Sequence, residues 1–263
     1  VALSYHAKAT QSYAFAHGYE AQATANSAVA IGFQTQATSS AGAVALGYKG
    51  RATGTKSLGI NNNTSGGATA NNATAIGNSC LASGVNSVAI GNSNTANANS
   101  AFALGRTTHV NGVFGKFVYG SYSLTGNYDG SSQTGMHVLI ADTTDATAEA
   151  LTANNNTAGS DNQVVLPNNS AFAFSGTIVA RQQAADGTAC AAWKVEGLIR
   201  REGSAGTTVL VNSATTVLDN TPSWGMALSA DTTNGCLKIQ ATGAALTDIR
   251  WVATIHTSEV TYA

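Results

Sequence analysis

Thr74-Ala-Ile-Gly77, Val88-Ala-Ile-Gly91 and Phe102-Ala-Leu-Gly105 repeat one pattern, with closing glycines 14 residues apart. The same pattern recurs upstream as Val44-Ala-Leu-Gly47, Val29-Ala-Ile-Gly32 and Tyr13-Ala-Phe-Ala-His-Gly18. The step is 14 residues from Gly18 to Gly32 and 15 from Gly32 to Gly47. Ser57-Leu-Gly59 and the polar run Asn61-Asn-Asn-Thr-Ser-Gly-Gly67 then interrupt the series. A weaker motif falls between the glycines, as in Tyr19-Glu-Ala-Gln-Ala and Asn92-Ser-Asn-Thr-Ala. A fixed short period of this kind denotes a stacked architecture. Each repeat reads as a coil of two short strands. In Ser87-Val-Ala-Ile-Gly91, strand alternation sends Val88 and Ile90 to one face and Ala89 to the other. Gly18, Gly32, Gly47, Gly77, Gly91 and Gly105 supply the backbone freedom for the turn. Stacked coils pair every strand with its copies above and below, satisfying the backbone groups. Seven coils spaced ~4.8 Å apart predict a rod on the order of 34 Å long.

Composition agrees with this reading. Only 10% of the 263 residues are charged, against about 25% in an average protein. Glycine is abundant at 28 residues and proline nearly absent at 2. Low net charge with many small residues suits stacked strands and tight turns better than disorder. The net charge of −1 is unevenly spread: Lys8, Lys49, Arg51, Lys56 and Arg106 face only Glu20 in residues 1–108. Neither half carries a dense basic stripe, which excludes nucleic acid as a partner. No apolar run has the length of a membrane span, so no insertion in a membrane is expected. The sequence begins at Val1 without a methionine, and a longer parent protein is expected.

The coil has an energetic gap. Fourteen residues of mainly Ala, Ser, Asn and Thr bury too little apolar surface to offset backbone ordering of ~1–2 kcal/mol per residue. Phe15, Val29, Ile31, Val44, Leu46, Ile76, Val88, Ile90, Phe102 and Leu104 therefore need a surface beyond their own coil. A homotrimer in which three coils place these rows against one another supplies it.

Residues 12–105 resemble the head repeats of trimeric autotransporter adhesins. The resemblance implies a left-handed parallel β-roll in a trimer, an architecture that bacteriophage tail fibres and tailspikes also use for shaft segments. It carries no ligand with it.

Beyond Arg106 the repeat stops. Gly112-Val-Phe-Gly-Lys-Phe-Val-Tyr-Gly120 reads as a strand within a transition, Met136-His-Val-Leu-Ile-Ala141 as a strand, and Asp142–Ala150 as a polar loop. Strand signals follow at 163–166, 171–181, 189–200, 207–211, 224–230, 236–241 and 249–262, separated by turns such as Asp186-Gly187, Glu202-Gly203 and Asn234-Gly235. Many short strands without a helical period predict a β-sandwich or jelly roll. The fold class is thus all-β: a β-roll of 14-residue repeats over 1–110, then a sandwich-like domain over 111–263.

The second half resembles the C-terminal domain of phage tail fibres and tailspikes. The likeness rests on Asp142-Thr-Thr-Asp145, Asn162–Ser170, Phe174–Arg181, Ala192–Arg201 and Ile249–Val260. It implies the host-facing end of a fibre on the virion, attaching to a surface glycan or outer-membrane receptor. A bacterial adhesin head on the cell surface is the alternative. Such a chain is expected to continue into a coiled coil and a membrane-anchor barrel; neither is read before Ala263, which favours the phage reading as an expectation, one that a fragment would also meet. A polysaccharide-degrading tailspike and a structural spacer are further alternatives.

Site chemistry is sparse. No Gly-x-Ser-x-Gly elbow, His-Glu-x-x-His pair or phosphate-binding loop occurs. Asp142 and Asp145 are spaced as a carboxylate pair, but they read as turn caps. No catalytic residue is expected, and the chain reads as a binding protein, not an enzyme. His6, His17, His109, His137 and His256 are isolated, so no metal or cofactor is expected. Cys80, Cys190 and Cys236 lack ligand spacing and read as buried free thiols, ahead of a Cys190–Cys236 pair. Trp193, Trp224 and Trp251 sit in strand patterns as core. Tyr119, Tyr122, Tyr128 and Asp129, in a Gly/Ser-rich junction, are candidate receptor contacts. Arg200 and Arg201, ending a strand, are candidates for an anionic saccharide.

Overall fold

The computed structural model describes residues 1–39, 41–61, 63, 66–124, 129–184, 188–220 and 222–262. It divides into two compact units, Val1–Gly112 with Phe117–Ser131, and Val113–Lys116 with Ser132–Ala263. Strands dominate both, and the described residues include no α-helix.

The first unit is a parallel solenoid of about eight turns. Its longer strands form one column: Val29–Phe33 pairs with Val44–Tyr48, then Leu58–Ile60, Thr74–Asn78, Val88–Asn92 and Phe102–Arg106. The register aligns each repeat with the next, so that Ala75 lies over Ala89 and Gly77 over Gly91. Two-residue strands form the opposite column, from Lys8–Ala9 through Gln22–Ala23, Gln36–Ala37, Arg51–Ala52, Gly67–Ala68 and Leu81–Ala82 to Thr95–Ala96.

Alanine fills the space between the columns. Ala16, Ala30, Ala45, Ala75, Ala89 and Ala103 on one side meet Ala23, Ala37, Ala52, Ala68, Ala82 and Ala96 on the other, all fully buried. Methyl groups alone let the two rows approach at interior packing density. The alternation predicted from Val88-Ala-Ile90 holds: Ala89 points in, and Ile90 stays 38% exposed. Phe102 is likewise 41% exposed. Asn94 is one of several buried polar residues in this unit, with Thr35, Ser57, Ser87 and Thr108. Its Nδ2 donates to the carbonyls of Ile90 and Gly105, each at 2.7 Å, and its Oδ1 accepts from the Thr108 amide at 3.0 Å.

Each coil turns through left-handed residues. Ser27, Lys56, Asn72, Asn86 and Ser100 take φ of +54° to +58° at one corner. Glu20, Gln34, Lys49, Ser79, Ser93 and Thr107 take +51° to +54° at the other. Gly91, just before the second corner, has φ +126°, a region open only to glycine.

The sequence reading needs amendment at two places. The stretch expected to interrupt the series continues it: Leu58–Ile60 pairs in register with Val44–Leu46 on one side and Thr74–Ile76 on the other. Phe117–Gly120, expected as a transition strand, is a further rung in register with Phe102–Gly105. Both were obscured because neither segment carries the Ala-Ile/Leu-Gly signature.

The second unit holds two antiparallel sheets. In the larger, the order is Ser132–Thr143, Ile249–Thr261, Ser170–Gln182, Cys190–Arg201 and Val209–Asp219. In the smaller, Cys236–Thr242 pairs with Gly225–Asp231, Ala148–Ala150 and Val164–Val165. The Ala148–Ala150 strand lies where a polar loop was expected. The strand expected at 207–211 runs on to Asp219, because its Ser-Ala-Thr-Thr centre pairs as well as its Val-rich start.

One core joins these sheets, with Leu139, Phe172, Ile178, Trp193 and Trp251 from the larger and Leu237 and Ile239 from the smaller. The tryptophans are core, as expected: Trp193 and Trp251 stack at 5.5 Å, Trp224 tilts against Trp251 at 5.9 Å, and Trp251 Nε1 donates to Thr143 Oγ1 at 2.9 Å. The three cysteines are free. Cys80 and Cys236 are buried, but Cys190, expected inside, is exposed at the start of its strand.

Candidate functional site

The residue after each closing glycine is carried outward at the coil corner. In the early coils that residue is aromatic after Gly18, Gly32 and Gly47, and Tyr5 after Ser4 occupies the same place in the first coil. Tyr5, Tyr19, Phe33 and Tyr48 form a column with ring centroids 5.3, 5.2 and 5.4 Å apart and planes within 16° of parallel. All four remain exposed, from 41% to 62%.

Next to this column lies an open cleft of about 510 Å³, lined by Glu20, Gln22, Gln34, Gln36, Lys49 and Arg51. Gln34 Nε2 donates to Glu20 Oε2 at 2.7 Å. The Glu20 carboxylate raises the pKa of the Tyr19 phenol by its charge and by accepting a hydrogen bond from it. Lys49 Nζ sits 5.3 Å from the Tyr48 ring centroid. The sequence reading missed this arrangement. The available signal was an aromatic directly after Gly18, Gly32 and Gly47, which the search for closing glycines passed over.

The residues singled out from the sequence are placed as follows. Tyr119 projects from the Phe117–Gly120 rung and is exposed, as is Tyr122. The Arg106 guanidinium covers the Tyr122 ring at 4.2 Å, within cation–π range. Asp129 is exposed at the surface, yet loss of solvent around its carboxyl raises its pKa, with His109 pulling the other way. Tyr128 lies outside the described residues. Arg200 and Arg201 are neighbours on one strand and so point to opposite faces. Arg200 is exposed and pairs with Glu202. Arg201 turns inward, where its Nη1 donates to the Leu166 carbonyl at 2.7 Å.

The acidic residues are held structurally. Asp145 Oδ1 accepts from the Thr147 amide at 2.6 Å, which lowers its pKa. Asp142 lies 3.7 Å from the Arg250 guanidinium and accepts from Asn155 at 3.1 Å. Asp231 accepts from Gln163 and Asn234 and from the Thr233 and Asn234 amides; these bonds hold its pKa low although burial works to raise it. Among the described residues, no three His, Cys, Asp or Glu side chains gather as a metal set. Cys236 is inert for a plain reason: burial, then the charge of Asp231, pushes its thiol up to about 12.

The second unit holds a buried ionic cluster. Lys116 Nζ lies 2.8 and 2.9 Å from the two Glu259 oxygens. Gln133 Nε2 and Thr257 Oγ1 each donate to Glu259 at 2.7 Å. His137 lies buried nearby, its pKa driven well below 6.5 by burial and then by the Lys116 charge.

Residues 7–35, 23–49 and 82–107 match the YadA head domain repeat family (2 copies). The repeats at 7–49 and 82–107 are therefore similar to that head repeat, and residues 50–81 of the 12–105 span read from the sequence are not matched. No curated protein shows significant sequence similarity to the chain. Among solved structures, the chain is similar to the tailspike protein gp49 of the Acinetobacter baumannii bacteriophage Fri1, a capsular polysaccharide depolymerase. Identity is 10%, TM-score 0.28, and the match covers 90% of this chain and 38% of that one. It is also similar to the tailspike of Acinetobacter baumannii phage AM24, at 10% identity and TM-score 0.26, over 89% of this chain and 42% of that one. The chain thus spans less than half the length of either tailspike. One expectation is corrected by this comparison. The sequence read as a protein that is not an enzyme, but the Fri1 tailspike is a depolymerase, and the statement that the chain carries no catalysis is withdrawn.

Proposed function

We propose that the chain is a segment of a phage tail fibre or tailspike that attaches the virion to a bacterial surface glycan or outer-membrane receptor. The observation that carries this reading is the in-register stack of coils that carries rows of Val, Ile, Leu and Phe on its outer face, matching the adhesin-head repeat. In this proposal three chains wind as left-handed β-rolls and cover one another's Val, Ile and Phe rows. The first unit, including the Phe117–Gly120 rung, acts as the shaft and the second as a β-sandwich tip.

The Val209–Asp219 strand supports assembly from the second unit. It is an edge strand, exposed along almost its whole length, with Val209, Val211, Val217 and Leu218 all uncovered. A long bare apolar edge invites pairing with another chain, and a partner copy removes that liability. Three tips on one fibre give avidity, so weak single contacts hold when neighbouring receptors are engaged together. Tyr119, Tyr122, Asp129 and Arg200 are the exposed contacts proposed at the junction and tip.

The adhesin-repeat match also favours a second reading, a bacterial surface adhesin head. Fluorescently labelled chain offered to a panel of intact bacteria, with reducing sugar assayed in the same tubes, tests the proposal. Strain-selective binding is expected, and sugar release decides whether cleavage accompanies attachment. Binding to animal matrix proteins and to no bacterium would replace the phage reading with the adhesin one.

A further inference from the structure

We infer that the aromatic column and adjoining cleft on the first coils form a lateral binding site for an acidic oligosaccharide; this rests on the attachment reading above and gives it a location on the shaft. Position along the stack carries the argument. The outward Val, Ile, Leu and Phe rows run the whole length of the column, from Val29 to Phe117, as a contact between copies along a common axis requires. The aromatic column does not. It stops at Tyr48, and in later coils the position after the closing glycine holds Asn78, Asn92 and Arg106. The adjoining polar row changes at the same height, from Gln22, Gln36 and Arg51 to Gly67, Leu81 and Thr95. Two independent columns confined to the same coils mark a local site and not a general feature of the repeat.

The chemistry fits a saccharide. Sugars present C–H faces beside hydroxyl edges, and the exposed Tyr19, Phe33 and Tyr48 rings offer apolar surface next to a row of amides. The ring-to-ring steps of 5.2 to 5.4 Å are comparable to the advance of one pyranose along an extended chain. Gln22 and Gln36 amides donate to and accept from hydroxyl groups. The charge of the cleft selects the class. Lys49 and Arg51 stand at its far end, while the single carboxylate, Glu20, already accepts from Gln34. Carboxylates of a hexuronate-bearing chain find complementary charge at Lys49 and Arg51 and an apolar strip leading to them.

The test uses the full chain, hexuronate-containing oligosaccharides and their carboxyl-reduced counterparts as probes, and intact bacteria in parallel. The unchanged chain is expected to bind the acidic probes, more weakly as salt rises, and to bind the reduced ones on the order of tenfold less. Phe33→Ser with Tyr48→Ser, and separately Arg51→Gln, should each weaken acidic-probe binding by about tenfold or more with the oligomer mass unchanged. Leu246→Asn, at a fully exposed position of the second unit, should bind as the unchanged chain does. Three results overturn the site: ladder variants that bind normally, reduced probes that bind equally well, or a ladder variant whose oligomer dissociates, since the rings would then be a contact between copies. Each of these leaves bacterial attachment standing if cells are still bound. Failure of the unchanged chain to bind any cell or saccharide overturns the attachment reading and the site with it.

Discussion

Replacing Gly91 by alanine probes the coil at its tightest point. Gly91 has φ +126°, and holding an alanine there costs about 1–3 kcal/mol in backbone strain. The added methyl also has nowhere to go. It meets the Gly105 carbonyl group of the next coil, with the carbonyl carbon at 3.0 Å, and approaches Asn94 Nδ2 to 2.8 Å. That nitrogen makes the buried bonds to Ile90 and Gly105. Pushing it aside leaves polar groups unpaired in an alanine interior, at about 1–3 kcal/mol. The two terms together remove roughly 2–6 kcal/mol from a total stability of the usual 5–15. Gly112 is the matched control. Its φ is +71° but nothing lies within 4 Å of an added methyl, so Gly112→Ala should cost only about 1 kcal/mol. Thermal unfolding at fixed chain concentration reads both variants. Equal midpoints would refute the reasoning, because they would mean that the coils do not stack at the described spacing.

Three other expectations concern the second unit and the thiols. Lys116→Met should destabilise by about 3–5 kcal/mol by leaving the Glu259 carboxylate buried without its cation, and adding Glu259→Leu should restore most of it; a loss under about 1 kcal/mol for the single change would deny the buried pair. His137 has a folded pKa below the ordinary 6.5, so the unfolded chain takes up the proton first. Its contribution is complete above pH 6.5 and is lost on acidification through that value towards the folded pKa, at up to about 1.4 kcal/mol per pH unit. Denaturant midpoints between pH 7 and 5 should therefore fall less steeply in His137→Gln, and parallel slopes would show that His137 is protonated in the folded chain. A maleimide should modify Cys190 at once in the folded protein and reach Cys80 and Cys236 only on unfolding, since both are buried with raised thiol pKa values; rapid labelling of all three would contradict the described burial.

The stack was legible because one short motif fixes three things together. Ala89 must point inward, Ile90 outward, and Gly91 must turn, so period and face follow from the same residues. Legibility ended where the motif is replaced by a geometric equivalent. Leu58-Gly-Ile60 has glycine where the interior alanine belongs, and Phe117-Val-Tyr119 has valine there, yet both pair in register. In the second unit, alternation identified the inner face from Trp251 to Ile255, but a thin apolar signal hid the end of the Val209–Asp219 strand. Sites were harder to read. Arg200 and Arg201 are adjacent in sequence and diverge in the sheet, whereas Tyr19, Phe33 and Tyr48 are far apart in sequence and adjacent in space. A parallel stack converts period into proximity, so the aromatic column becomes visible only once the coils are laid over one another.

The most direct test of the central claim is binding of the full chain to a strain it selects and to an isogenic mutant lacking that strain's surface polysaccharide. Attachment through a surface glycan predicts saturable binding to the parent, lost on the mutant and blocked by the purified polysaccharide. Equal binding to both strains, or unchanged binding in the presence of the polysaccharide, would contradict attachment through a glycan and move the receptor to an outer-membrane protein.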